Sequence, residues 1–310
     1  MPAIAVALLL GAMCDLVLGD PKKGHPVAAF GAVAARLERV LWRPSRAMGA
    51  AYAALLVVLP SAAVWRVDRA LRTRPLSRSA FAGLVVWTTL GGRSLGRAAR
   101  TLAAAVRRGD LDRARDSLLD LAGRDPAGLC AEELCRAATE SVAENTADAV
   151  VAPLLWTALA GPAAGVAYRA VNTLDAMVGH RDERYEAFGW AAARADDLAT
   201  WVPARLASLC AVLCAPVVGG RAGSAWQMLR RDGRAHPSPN AGRLEATFAG
   251  ALGVRLGGVN RYGTRIEVRP KLGEGTLPSP EDVERAASLA AVVGLLATFL
   301  AVLWAWWQQP

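Results

Sequence analysis

Six apolar stretches punctuate the chain, Ala3 to Leu18, Ala47 to Trp65, Phe81 to Leu90, Ala149 to Val171, Ala199 to Val218 and Leu289 to Trp307, with polar segments between them. A straight helix needs roughly 20 predominantly apolar residues to cross a bilayer. The last stretch meets that length and ends in Trp304, Trp306 and Trp307, an interfacial aromatic cluster. The third is too short to span alone. Gly161-Pro162 cuts the fourth into two short halves, which predicts a re-entrant hairpin that returns both polar flanks to one membrane face. The first run lacks a preceding basic residue and a clear small-x-small cleavage site, so it is expected to stay attached.

Two connections are long enough to hold structure of their own. In Arg93 to Ala138, Leu95, Ala98, Ala99, Leu102 and Val106 repeat at helical spacing, and Asp110 caps a second helix carrying Leu111, Leu118 and Leu119. Ala225 to Asp282 opens with an amphipathic helix to Arg234. The prolines of His236-Pro237-Ser238-Pro239-Asn240-Ala241-Gly242 then impose a loop. Leu244 to Leu252 reads as helix, and Gly253 to Gly263 as a glycine-rich irregular segment. The whole pattern predicts an all-α, polytopic integral membrane protein, one domain over residues 1–310, with amphipathic helices and loops at the cytoplasmic face. Arg66, Arg69, Arg72, Arg74 and Arg78 compete with Lys22, Lys23, Arg36 and Arg39, so loop charge orients only the end. Arg285 precedes the last run and no charge follows it, which places the long connection in the cytoplasm.

Composition agrees: 54% apolar residues is too many for an ordinary soluble protein, and 20% charged is too many for a pure lipid-embedded bundle. The net charge of +9 comes from arginines scattered through every connection, with no basic helix or aromatic-interleaved stripe. Nucleic acid is therefore excluded as a partner, and anionic lipid head groups and a phosphorylated substrate fit better. The five cysteines form neither a CxxC pair nor a metal spacing with the three histidines. Gly91 and Gly96 have a phosphate-loop interval, but Arg97-Ala98 replaces the Lys-Ser/Thr that would contact phosphate.

Chemistry concentrates between Arg136 and Arg205. A carboxylate at the centre of a bilayer costs at least ~2.5 to 3.5 kcal/mol, so carboxylates near apolar segments mark a use. Glu140, Glu144 and Asp148 recur every four residues and share a helical face. With Asn145 beside them they suit Mg²⁺, which takes one or two carboxylates plus water and substrate phosphates; a solvated acidic face is the alternative. Tyr168, Asn172 and Asp175 share a second face. In the loop that follows, His180 and Arg184 could hold an anion, or Arg181, Asp182 and Glu183 form a surface ion-pair network. Asp196 and Asp197 precede the fifth run, and Arg205 within it needs either a carboxylate or the membrane interface. All three histidines, His25, His180 and His236, lie in Gly/Pro-marked loops.

These stretches together resemble the CobD/CbiB family, the membrane-bound adenosylcobinamide-phosphate synthases of cobalamin biosynthesis. The resemblance rests on Gly19-Asp20-Pro21 with His25-Pro26-Val27, on Glu140 through Asp148 leading into Val150-Val151-Ala152-Pro153-Leu154, and on Tyr168 through Gly179. Glu183-Arg184-Tyr185, Phe188-Gly189-Trp190-Ala191, Asp196-Asp197, Pro203-Ala204-Arg205-Leu206, Ser238 through Gly242 and Gly250 through Gly258 continue it in order. It implies ATP-dependent amide formation between adenosylcobyric acid and 1-amino-2-propanol or its O-phosphate, by a multi-pass ligase of the inner (cytoplasmic) membrane. It further implies ATP and Mg²⁺ as cofactors, with Glu140, Glu144 and Asp148 on metal or amine and Asp175 or Asp197 in proton transfer or on metal. Substrate binding falls to Asp20, His25, Asn145, Asn172, Arg184, Tyr185, Arg205 and Asn240, and Trp190 and Trp201 line a corrinoid dock. The implied partners are membrane lipids and either further copies of the chain or other corrinoid-pathway membrane enzymes. A transporter or a related signalling protein is the competing class, since broken apolar segments flanked by carboxylates also build carriers.

Overall fold

The computed structural model describes residues 3–20, 24–123, 125–180, 182–262 and 265–308. Pro21, Lys22, Lys23, Arg181 and Gly263, used above, lie outside them. In chain order the helices are α1 (Ala3–Leu18), α2 (Pro26–Leu41), α3 (Arg46–Ala70), α4 (Pro75–Thr89), α5 (Gly92–Arg107), α6 (Leu111–Leu119) and α7 (Ala131–Thr146). A π-turn (Ala147–Val151) leads to α8 (Ala152–Ala160), α9 (Pro162–Val178), α10 (Trp190–Ala199) and α11 (Trp201–Cys214), the last prolonged by a 3-10 turn (Ala215–Val218). Then come α12 (Ala222–Asp232), α13 (Ala241–Leu252), strands β1 (Arg255–Tyr262) and β2 (Arg265–Gly273), and α14 (Pro280–Trp307). Among the described residues the fold is all-α apart from this one hairpin.

Two compact units form: Met1–Gly91, Asp148–Val202 and Ala297–Pro310 in the first, Gly92–Ala147 and Pro203–Leu296 in the second. Both of the long connections recognised in the sequence fall in the second.

Within the first unit, α1 lies so close on α4 that a Cβ at Gly11 would overlap the Val86 side chain. The expected break at Gly161-Pro162 is a helical hairpin: Gly161, at φ 83°, reverses the chain between α8 and α9. Gly165 lets the two halves close, since a Cβ there would strike Thr157 Oγ1. A core of Tyr52, Leu56, Leu174, Val178, Phe188 and Ala192 joins α3, α9 and α10 to the loop before α10. Its Tyr52 and Phe188 ring centroids stand 5.0 Å apart, and the Tyr52 hydroxyl donates to the Ala34 carbonyl at 3.1 Å.

In the second unit Leu95, Ala99 and Leu102 are buried, as their spacing requires, and the Asp110 carboxylate accepts from the Arg113 N–H at 3.1 Å to cap α6. Every residue of α13 except Arg243 is buried, making it the central helix. The segment read as irregular from Gly253 onward is instead an antiparallel hairpin with a register shift between Leu256 and Gly258. That bulge, built on Gly257 at φ 80°, breaks the two-residue alternation by which a strand is recognised.

Among the described residues three helical segments are long and apolar enough to cross a membrane, Arg46–Ala70, Trp201–Val218 and Pro280–Trp307, and α1 is a shorter apolar helix. Leu59, Leu213, Val217, Leu295, Phe299 and Trp307 are exposed on them. Such apolar area needs lipid to cover it, and the chain is a membrane protein.

Two outcomes follow from this packing. After carbonate washing of membranes most of the chain should stay in the pellet; recovery in the supernatant would contradict the spans. Gly165→Leu should lower the unfolding midpoint in detergent by the equivalent of about 1–3 kcal/mol through overpacking against Thr157, whereas an unchanged midpoint would mean that the hairpin is not closed.

Candidate active site

At the open end of the α8–α9 hairpin, three elements of the first unit present polar side chains to one another. Asn172 of α9 donates through Nδ2 to Asp148 Oδ2 of the π-turn at 3.3 Å and to Asp196 Oδ1 of α10 at 3.2 Å. Its Oδ1 accepts from Arg169 Nη1, one turn earlier, at 3.3 Å. The Thr200 hydroxyl, 3.1 Å from the buried Tyr168 hydroxyl, reaches Asp196 Oδ2 at 3.5 Å. Arg169 feels the charges of Asp148 and Asp20, and among the described residues its buried Nε has no hydrogen-bond partner. Two indoles fix the surrounding backbone, Trp87 Nε1 donating to the Gly19 carbonyl at 3.0 Å and Trp156 Nε1 to the Ala199 carbonyl at 3.0 Å. His25 caps α2, its Nδ1 accepting from the Val27 N–H at 3.1 Å, while Nε2 stands 3.9 Å from Asp20 Oδ1.

Two carboxylates held by one amide repel each other, and a cation between or beside them relieves that repulsion. The donor set fits Mg²⁺, which keeps most of its shell as water and substrate oxygen and uses one or two carboxylates. Of the expected ligand set, Asp148 belongs to the first unit and Glu140 and Glu144 to the second. Among the described residues no three His, Cys, Asp or Glu side chains are grouped to hold a metal. Glu140 lies in the second unit, 1% exposed, accepting from Arg136 Nη1 at 2.9 Å and from the Gly257 N–H at 2.8 Å. Half-buried Glu144 is also in the second unit. Asp148 itself sits in the π-turn that follows α7.

The remaining expected residues are distributed as follows. Arg184 Nη2 and the Tyr185 hydroxyl both donate to Glu38 Oε1, at 3.0 and 2.8 Å, clamping the loop before α10 onto α2. The Glu38 hydrogen bond raises the Arg184 pKa; burial first, and then Glu38, raise that of Tyr185. The Asp175 side chain folds over Gly179, where any Cβ would strike it. Asp197 lies 3.9 Å from Arg194, so it is Asp196 of the pair that joins Asn172. In the second unit Asn145 bonds back to the Ser141 carbonyl at 3.0 Å, and Arg205 Nη1 donates to Asn240 Oδ1 at 3.5 Å. His180 stacks near Tyr185, ring centroids 6.3 Å apart. Trp190, 42% exposed, carries the Arg46 guanidinium 5.3 Å from its ring centre. Sequence reasoning missed Arg169 and Thr200; an arginine inside an apolar run, three residues before Asn172, was the available signal.

A sequence model of the family described as CobD/Cbib protein matches residues 8–290. The chain belongs to the CobD/CbiB family. A Mycobacterium tuberculosis relative named Cobalamin biosynthesis protein CobD is 50% identical over 309 residues, spanning 99% of this chain and 97% of its own. Relatives of the same name from Geobacter metallireducens and Rhodobacter capsulatus are 44% and 38% identical, covering 90% and 97% of this chain and 89% and 98% of their own. No solved structure matches. End-to-end coverage within one biosynthetic family favours an enzyme over the transporter or signalling alternative.

The loop that positions Asn240 carries a pH signature. His236 is buried, its Nδ1 accepting from the Ser238 N–H at 3.0 Å with Nε2 3.7 Å from Glu245 Oε1. Burial, and then the Arg269 guanidinium, push its pKa down from 6.5 to about 4. Between those values the unfolded chain binds a proton that the folded chain refuses, so stability is full above pH 6.5 and is lost as pH falls toward 4. Denaturation in detergent should register that loss, on the order of 3 kcal/mol at most, and His236→Gln should flatten the window. An identical decline in the variant would assign it to other groups.

Proposed function

We propose that the chain is an adenosylcobinamide-phosphate synthase of the cytoplasmic membrane, crossing it several times. In this reading it is an acid-amine ligase that joins a propionate of adenosylcobyric acid to 1-amino-2-propanol or its O-phosphate at the expense of ATP. Family membership and the relatives' names support the pathway, and the Asp148–Asn172–Asp196 arrangement carries the assignment of the site.

An amide does not form from a carboxylate and an ammonium at neutral pH without activation. The economical route has a propionate oxygen attack the terminal phosphorus of ATP, breaking the bond to ADP and forming an acyl phosphate. The neutral amine nitrogen then attacks the acyl carbon; the C–N bond forms, the C–O bond to phosphate breaks, and phosphate leaves with its electron pair. Asp148 and Asp196 attract the substrate ammonium, and one of them takes the proton that the nitrogen must lose. They are also the residues that would hold Mg²⁺, which when bound supplies charge neutralisation for the phosphoryl oxygens. Asn172 keeps both carboxylates oriented, and the Arg169 guanidinium balances their charge and offers its unbonded Nε to a developing oxyanion. The exposed Trp190 and Trp201 faces suit a large amphipathic corrinoid at the membrane surface.

Purified protein should show corrinoid-dependent ATP turnover and form cobinamide or its phosphate. Asp148→Asn and Asp196→Asn should each remain folded and lose on the order of a hundredfold in rate, while Glu132→Gln changes little. Near-normal product formation by both Asn variants would remove the site, and no turnover by wild type with either amine would remove the function.

A further inference from the structure

The closed end of the α8–α9 hairpin, at Gly161, borders a cavity that the proposed reaction does not use. Its volume is about 250 Å³, and all of its lining lies in the first unit. Two of the helices long enough to cross a membrane end beside it. Trp65 and Asp68 reach it from the last turns of α3 and Arg72 from the turn that follows, while Ala305 and Gln308 reach it from the end of α14. Each of these helices finishes in exposed tryptophan, Trp65 on one and Trp306 and Trp307 on the other. Tryptophan gathers at the boundary between hydrocarbon and head groups, so the cavity stands at head-group depth.

The charge of the lining is positive. Asp68 accepts from Arg78 Nε and Nη2 at 2.8 and 2.9 Å, which settles that carboxylate and holds Arg78 in place. Arg78 Nη1 makes no hydrogen bond among the described residues, and Arg72 brings a second guanidinium, so the single acid of the lining faces two arginines. Arg69 adds to the same field, its guanidinium 5.5 Å from the centre of the Trp65 ring. Thr157 also lines the cavity, 1% exposed, and its Oγ1 has no hydrogen-bond partner among the described residues. Size narrows the occupant: sites for drug-sized ligands run to roughly 300–1,000 Å³, so this one suits a head group and excludes a corrinoid. Acyl chains attached to that head would follow exposed Leu59 and Phe299, nearer the middle of the same two helices. A phosphodiester carries one negative charge and offers paired oxygens to guanidinium forks, whereas a zwitterionic head brings its own cation and leaves the surplus unanswered.

We propose that the cavity at the closed end of the hairpin is a binding site for the head group of an anionic phospholipid, with Arg72 and Arg78 on its phosphodiester. Asp68 serves by holding Arg78 in position. The site is independent of the ligase reading, since it lies at the other end of the hairpin from Asp148, Asn172 and Asp196.

Calorimetric titration of dioctanoyl phosphatidylglycerol into the delipidated full chain, in neutral maltoside micelles, tests the site. Saturable binding is expected, weakened about tenfold or more by Arg72→Gln, as loss of a charged hydrogen bond implies. Arg74→Gln removes the same charge from the same end of the bundle without touching the cavity, and binding should be little changed. Both arginines are exposed, so each variant keeps the fold. Dioctanoyl phosphatidylcholine should bind far more weakly than the glycerol lipid. Absence of saturable binding, or equal binding of the two lipids, overturns the proposal. Equal weakening by Arg72→Gln and Arg74→Gln does so too, because it leaves only a diffuse basic surface. Displacement of the lipid by inorganic phosphate alone would give the site to a soluble oxyanion and overturn the lipid assignment.

Discussion

One carboxamide organises the polar end of the first unit. Asn172 spends both N–H groups on Asp148 and Asp196 and its oxygen on Arg169, so a short neutral side chain joins two anions and a cation. Half-buried carboxylates without such partners would be costly among apolar helices. The arrangement exists only because α8 and α9 fold back on each other, with Gly161 reversing the chain and Gly165 admitting Thr157. The apolar hairpin is therefore the support of the polar site, and small residues far from the chemistry set its geometry.

The second unit uses a carboxylate in the opposite way. Glu140 is enclosed by Arg136 and the Gly257 N–H, and Arg136 also donates to Asn260 Oδ1 at 3.0 Å and to the Val259 carbonyl at 2.8 Å. A buried pair of this kind adds little net stability but fixes register, because any other seating of the hairpin on α7 leaves a charge unpaired. The Gly257 bulge aims its N–H at Glu140, which ties the glycine-rich segment to the acid row.

Legibility in the sequence followed this division. Apolar length and Gly-Pro punctuation located α1 to the residue and anticipated the α8–α9 hairpin, because both depend on local chemistry. The N-cap Asp110 was equally visible. The β-hairpin was not, since its bulge scrambles the period, and neither was α2, which begins at a proline after a loop. Four-residue spacing puts Glu140, Glu144 and Asp148 in one row, but it does not foretell the π-turn in which Asp148 sits. Spacing also cannot say that Arg136, one turn before Glu140, is its partner, or that Asp196 faces Asn172 while Asp197 approaches Arg194. Family resemblance supplied the pathway, whereas the pairing of charges had to come from the fold.

The two ends of the first unit differ in how their charges are settled. At the closed end of the hairpin, near Gly161, Asp68 receives a two-pronged bond from Arg78 at 2.8 and 2.9 Å, beside a cavity of about 250 Å³ that Trp65, Arg72 and Gly161 help to line. That carboxylate is matched one to one, as a structural ion pair is. At the open end no such one-to-one match is made: Asp148 and Asp196 share the amide of Asn172, whose oxygen accepts from Arg169, and the charges of Asp148 and Asp20 both bear on that buried guanidinium. A shared, branching arrangement of this kind holds its carboxylates oriented through a neutral group rather than through a dedicated cation. The difference between the ends, rather than the number of acids along the sequence, is what distinguishes them.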